Sequence, residues 1–178
     1  MDFRVVRLLL TVSTLVGVTS LPLAQTSKKL NPEFLMEKMT GKWVMRGTIA
    51  GDKVTHDVTA DRILNRQYVR IHEVSREKDS AGKPAYEAWL HIAWDKANEE
   101  FVVMWLDNTG VTNFSADGVG HGKPVGDRIP FVWKLADGSG IHNTFAYERE
   151  SNSWSWSIDN VDKSGKASAF GRVTLKRK

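Results

Sequence analysis

Residues 31–43, NPEFLMEKMTGKW, decide the fold. Asn31 can cap a helix, Pro32 suits its first turn, and Glu33 sits at the positive end of the helix dipole. Phe34, Leu35 and Met39 give this short helix, expected over residues 31–40, one apolar face, and Gly41 ends it. From Trp43 onward the apolar period is two. A short helix, then Gly41-Lys42-Trp43, then an unbroken series of strand-like runs reads as the start of an antiparallel β-barrel.

Residues 43–49 form the first expected strand, turned by Gly51-Asp52. Val54, His56 and Val58 then alternate with Thr55, Asp57 and Thr59. Leu64-Asn65-Arg66 turns the chain into residues 67–76 (QYVRIHEVSR), and the loop 79–84 (DSAGKP) leads into 86–94 (YEAWLHIAW). Residues 95–98 turn into 101–106 (FVVMWL), followed by a turn at 107–110. The Gly-rich stretch 111–127 is expected to hold one strand and a mobile loop with Gly118, Gly120, Gly122 and Gly126. Strands at 129–135, 141–150, 153–158 and 167–176 complete the series.

That makes roughly nine or ten strands joined by short turns, with no helical pattern between them. Parallel βαβ units are thereby excluded. No linker divides the chain and no internal repeat is visible. The expected fold is all-β: a single closed antiparallel up-and-down barrel with a short N-terminal helix, since closure removes exposed strand edges. A two-sheet sandwich is the structural rival.

The 178 residues are 41% hydrophobic and 26% charged, an ordinary globular composition for one domain. Seven Trp and seven Phe supply large side chains for a core or a cavity wall. The net charge of +4 is scattered, and Lys176-Arg177-Lys178 is the only dense basic run, so no nucleic-acid partner is expected. Residues 1–25 carry the pattern of an export signal: Arg4 and Arg7, an apolar stretch at 8–18, then small residues up to Ser20 and Ala24. That stretch is too short for a stable membrane anchor. The expected organisation is a signal peptide at 1–25 and a barrel domain at 26–178, periplasmic or secreted, without stable membrane insertion after cleavage. The chain has no cysteine, hence no disulfide and no lipid-accepting thiol, and its stability must come from its core.

Several short motifs add a family resemblance. The helix followed by Gly41-Lys42-Trp43 resembles the first signature of lipocalins and their calycin relatives. That resemblance implies a Trp closing one barrel end against an Arg of a late strand, here Arg172 or Arg177. More specifically, residues 35–178 look like a DUF1579-type protein, an uncharacterised family of exported bacterial calycin-like barrels. Ala93-Trp94-Asp95, Val103-Met104-Trp105-Leu106-Asp107-Asn108 and Gly171-Arg172-Val173-Thr174-Leu175 carry this resemblance beside Gly41-Lys42-Trp43. The chain departs from the common pattern at Trp94, where such families often have Tyr. Nitrobindin-like haem barrels also share the Gly-x-Trp start, but they need a late His as iron ligand. The last His here is His142, which speaks against haem.

No catalytic or metal motif stands out. His56, His72, His91 and His142 fall within expected strands and His121 in the Gly-rich stretch, none at the close spacing of a metal pair. His56 is flanked on its face by Val54 and Val58 and reads as a polar group in a pocket wall. His91 shares a phase with Trp89 and Ala93, either as a polar group in an aromatic wall or on a half-buried outer face. Glu73, in phase with Val69, Ile71 and Ser75, is a general base if buried and otherwise a solvated carboxylate. Trp154 and Trp156 share one face with serines opposite. Gly118-Val119-Gly120-His121-Gly122 lacks the helix and the Lys of a phosphate loop, so a nucleotide is not expected.

The reading is a lipocalin-like container for a small, mostly apolar molecule, with His56, Glu73, Trp89, His91, Trp105 and Trp156 as ligand-binding residues. No cofactor, no metal and no catalytic residue is assigned. The alternatives are an isomerase- or lyase-type enzyme on the same barrel, and a filled structural barrel.

Overall fold

Asn31 caps α1 (Pro32–Met39), the one α-helix among the described residues, by accepting the Phe34 N–H at 3.1 Å. The computed structural model describes residues 31–110 and 116–178. The expected signal at 1–25 and part of the Gly-rich stretch lie outside the described residues. The helix ends at Thr40, whose backbone is extended, and Gly41 already opens β1 (Gly41–Ile49) with φ +121°. A side chain at Gly41 would also run into the Arg177 guanidinium.

Ten strands follow. They are β1, β2 (Asp52–Ile63), β3 (Tyr68–Ser75), β4 (Glu87–Asp95), β5 (Glu100–Asp107), β6 (Val119–Gly122), β7 (Arg128–Lys134), β8 (Gly140–Glu148), β9 (Ser153–Val161) and β10 (Ala167–Arg177). Each pairs antiparallel with its neighbours in sequence, and β1 pairs with β10, from Trp43↔Arg177 to Ile49↔Gly171, to close the barrel. The sandwich alternative is therefore excluded. The alternation expected from sequence is cleanest in β3, where Val69, Ile71, Glu73 and Ser75 are buried and their neighbours are not.

The Gly-rich stretch corrects its expected loop. A single 3-10 turn at Ala116–Gly118 leads into β6, so Gly120 and Gly122 lie in a strand. Both face inward, and a Cβ on Gly120 would stand 2.5 Å from the Trp133 ring. The glycine makes room for an indole across the strand pair.

The helix closes one barrel end. Leu35, Met36 and Met39 bury against the core, and the last helical carbonyls find donors outside the helix. Trp154 Nε1 donates to Lys38 O at 3.1 Å, Trp43 Nε1 to Met39 O at 2.9 Å, and Arg177 to Thr40 O at 2.5 Å. The Arg177 guanidinium lies 3.7 Å from the Trp43 ring centroid. Of the two arginines that the lipocalin resemblance brings forward, it is Arg177 that packs on the Trp; Arg172 binds Asp159 on the surface.

Outside the barrel, Asp57 accepts two hydrogen bonds from Arg76, at 3.0 and 2.8 Å, and one from Lys178 at 3.1 Å. The Arg76 hydrogen bonds lead in holding its carboxyl at about 2, below the ordinary 3.8. A carboxyl depressed by folding stabilises above its unfolded pKa and loses that contribution as pH falls through the folded one. Asp57 is 42% exposed, so the effect is that of a surface pair. Asp57→Asn is expected to cost about 0.5–1 kcal/mol at pH 7. In urea melts across pH, the gap to the parent chain should shrink below about 3.8 and vanish near 2. A gap independent of pH would remove the ion pair as its cause.

Candidate functional site

The barrel end opposite α1 is open, and behind it lies a cavity of about 500 Å³. Its walls are mostly carbon: Met45 and Ile49 from β1, Val54 from β2, Trp105 from β5, Trp133 from β7 and Trp156 from β9. A register shift between Ala169 and Gly171 in β10 adds Phe170 to the rim, where it is 39% exposed. Phe145 of the neighbouring β8 stacks on Trp156 at 4.3 Å between centroids, which fixes the indole.

One polar cluster sits deep in this wall. His56 of β2 and Glu73 of β3 are 3% and 2% exposed, and His56 Nδ1 meets Glu73 Oε1 at 2.5 Å. Their strands are registered by Val58↔Glu73 and His56↔Ser75, so the two side chains are diagonal neighbours on the inner face. The other ring nitrogen, Nε2, lies 4.0 Å from Glu77 Oε2. Glu73 Oε2 has no hydrogen-bond partner among the described residues.

Tyr86 stacks against His56 at 5.7 Å between centroids. Its hydroxyl accepts from Trp105 Nε1 at 3.0 Å and donates to Asp107 Oδ2 at 3.3 Å. Burial foremost, then the charges of Glu73 and Asp107, pushes that hydroxyl far above the usual phenol range. Tyr86 therefore stays protonated and remains a donor. Asn143 and Trp133 also line the cavity, and Asn143 Oδ1 and Trp133 Nε1 have no partner among the described residues.

The structure gathers His56, Glu73, Trp105 and Trp156 around one cavity. It places Trp89 and His91 elsewhere, which corrects the ligand-binding role expected of both; of the two readings of His91, the half-buried outer face is the one seen. In β4 the inward phase is Ala88, Leu90 and Ile92, all buried, so Trp89 and His91 stand on the outer face. There Trp89 stacks on His72 at 3.9 Å, with Arg70 5.5 Å from its ring centroid. Burial, with the Arg70 charge second, lowers the pKa of His91 from the ordinary 6.5. His72, His121 and His142 face outward too; His72 and His121 meet Glu87 and Glu100. Sequence reasoning does not reach Tyr86, Asn143 or the carboxylates Asp52, Asp107 and Asp117 at the open end. Tyr86 and the three aspartates sit in or beside turns, where no alternation marks an inward phase; Asn143 lies within β8, in phase with the buried Phe145.

A closed barrel with one open end, a preformed and mostly apolar cavity and a few buried polar groups is compatible with a lipocalin-like ligand-binding fold. Comparison of the chain with protein-family models and with curated proteins finds no match in either.

Proposed function

We propose that this chain is an exported barrel that holds a small, mostly apolar molecule in its interior. The observation that carries the reading is the cavity of about 500 Å³. A cavity of this size falls in the range of small-molecule sites. Burying an apolar body there contributes roughly 25 cal/mol per Å², offset by the cost of ordering it. Trp105 and Trp156 supply apolar wall, and His56 and Glu73 supply polarity. The resemblance to exported DUF1579-type barrels supports the same reading, as does the signal-like pattern at 1–25.

Native mass spectrometry of the protein recovered from the extracytoplasmic fraction of its host is expected to show a reproducible added mass. Denaturation should release it as a small apolar molecule, and Val54→Trp, which fills the cavity, should abolish it. Recovery only from the cytoplasm, or an added mass that survives Val54→Trp, would count against export or against the cavity respectively.

One observation favours a second reading. A buried carboxylate with one unpartnered oxygen, hydrogen-bonded to a His beside a cavity, is the layout of a general base. On that reading Glu73 moves a proton within a bound small molecule, as in an isomerase or lyase. Conversion of the released molecule on incubation with fresh protein, lost in Glu73→Gln, separates an enzyme from a carrier. The cavity itself counts against a filled structural barrel.

A further inference from the structure

We propose that the molecule held is a lipophilic cation, with an apolar body inside the barrel and an ammonium-type charge at the open end. This rests on the container reading above and adds the charge of its contents.

Among the described residues, the cavity lining contains the carboxylates of Asp52, Glu73, Asp107 and Asp117 and no Lys or Arg. The chain as a whole is basic, with 25 Lys and Arg against 21 Asp and Glu. The acidic lining therefore runs against the composition. Elsewhere on the barrel, Asp57, Asp61, Asp127, Asp137 and Asp159 each pair with a Lys or Arg. Among the described residues, Asp52, Asp107 and Asp117 have no such ion pair.

Their hydrogen bonds come from neutral donors and leave the charge in place. Asp107 accepts from the Tyr86 hydroxyl at 3.3 Å and from Thr109, and Asp117 from the Ala136 N–H at 3.2 Å. The nearest lysines along the chain do not reach in: Lys53 and Lys134 are exposed beside the lining residues Asp52 and Trp133, and Lys163 pairs with Asp137.

Glu73 is a second, independent observation. It is 2% exposed, lines the same cavity, and keeps one carboxylate oxygen without a partner among the described residues. Tyr86, Trp105 and Trp133 line the same cavity, and aromatic faces attract cations. An alkyl carboxylate would bring a like charge among these groups, where the described lining offers no Lys or Arg and its one His is held by Glu73. A neutral alcohol would gain apolar burial and a donated hydrogen bond, but no attraction of opposite charge. A cation at the rim keeps part of its hydration and so escapes most of the desolvation cost of a buried charge.

The test uses three probes with the same ten-carbon chain, decyltrimethylammonium, decanol and decanoate, each below its micelle concentration. Quenching of tryptophan fluorescence reads binding. The cation is expected to bind at least tenfold more tightly than decanol, and decanoate more weakly than decanol. The cation's advantage should shrink as salt rises. In Asp52→Asn/Asp107→Asn/Asp117→Asn it should fall to the affinity of decanol on the same variant. Because Asp107 also holds Tyr86, Asp52→Asn/Asp117→Asn serves as a second variant and should lose part of the advantage. Equal affinity for cation and decanol, tighter binding of decanoate, or an advantage that survives these substitutions would overturn the charge assignment while leaving the container standing. Binding of none of the three would overturn the container reading itself.

Discussion

Trp43→Ala is expected to unfold the barrel more readily than any other single truncation at the closed end. The indole is 1% exposed, donates to the Met39 carbonyl at 2.9 Å and carries the Arg177 guanidinium at 3.7 Å. Truncating a buried Trp to Ala costs about 3–5 kcal/mol. A domain of this size loses roughly 2–4 °C of Tm per kcal/mol, so the melt should fall by about 6–20 °C. Against a typical total of about 5–15 kcal/mol, that removes a large part of the stability. Trp43→Phe keeps most of the packing but not the N–H, and should cost about 1–3 kcal/mol through the carbonyl it leaves bare. Calorimetry on the two variants checks both. A Trp43→Ala melt within about 3 °C of the parent chain would show that this end is held without the indole.

The second large effect concerns the polar pair in the cavity wall. Removing Glu73 leaves the buried His56 without its partner at Nδ1, and removing His56 leaves the carboxylate bare. Breaking such a pair by removing one member costs about 3–5 kcal/mol. Glu73→Leu and His56→Leu should each reach about that figure in urea denaturation. The double variant should cost much less than the two together, because replacing both members of a buried pair by apolar groups is often close to neutral. A coupling of about 2 kcal/mol or more is expected from the cycle. Additive losses would mean that the two side chains act separately despite their contact.

The strands were legible because most have one half-buried face. β3 reads YVRIHEVS, and its inward residues are the apolar phase with one carboxylate. The same phase logic places His56 correctly, since Val54 and Val58 flank it. It fails in β4, EAWLHIAWD, where both phases look apolar. There the inner phase takes Leu90 and Ile92, and the larger Trp89 stands outside, covered by His72 and Arg70 of β3. Only the β3–β4 register decides that, and it is not written within either strand. The meeting of His56 with Glu73 depends in the same way on the β2–β3 register, across a turn whose Leu64, Asn65 and Arg66 all have positive φ. Glycine misled at residues 120 and 122, since a residue type that favours loops was serving there to admit the Trp133 ring and the backbone at Pro130.

The seam between β1 and β10 fixes when the molecule can exist. Every other strand pairing joins neighbours in sequence, so it can form as the chain lengthens on the ribosome. The seam cannot: Trp43 must wait for Arg177, and until then β1 and β9 each present an unpaired edge. Contacts so distant in sequence are paid for in loop entropy before they return anything, which slows the final step. A growing chain of this design is a late finisher: it is an open sheet, more readily unravelled than a closed barrel, and it stays so until the last strand has been made.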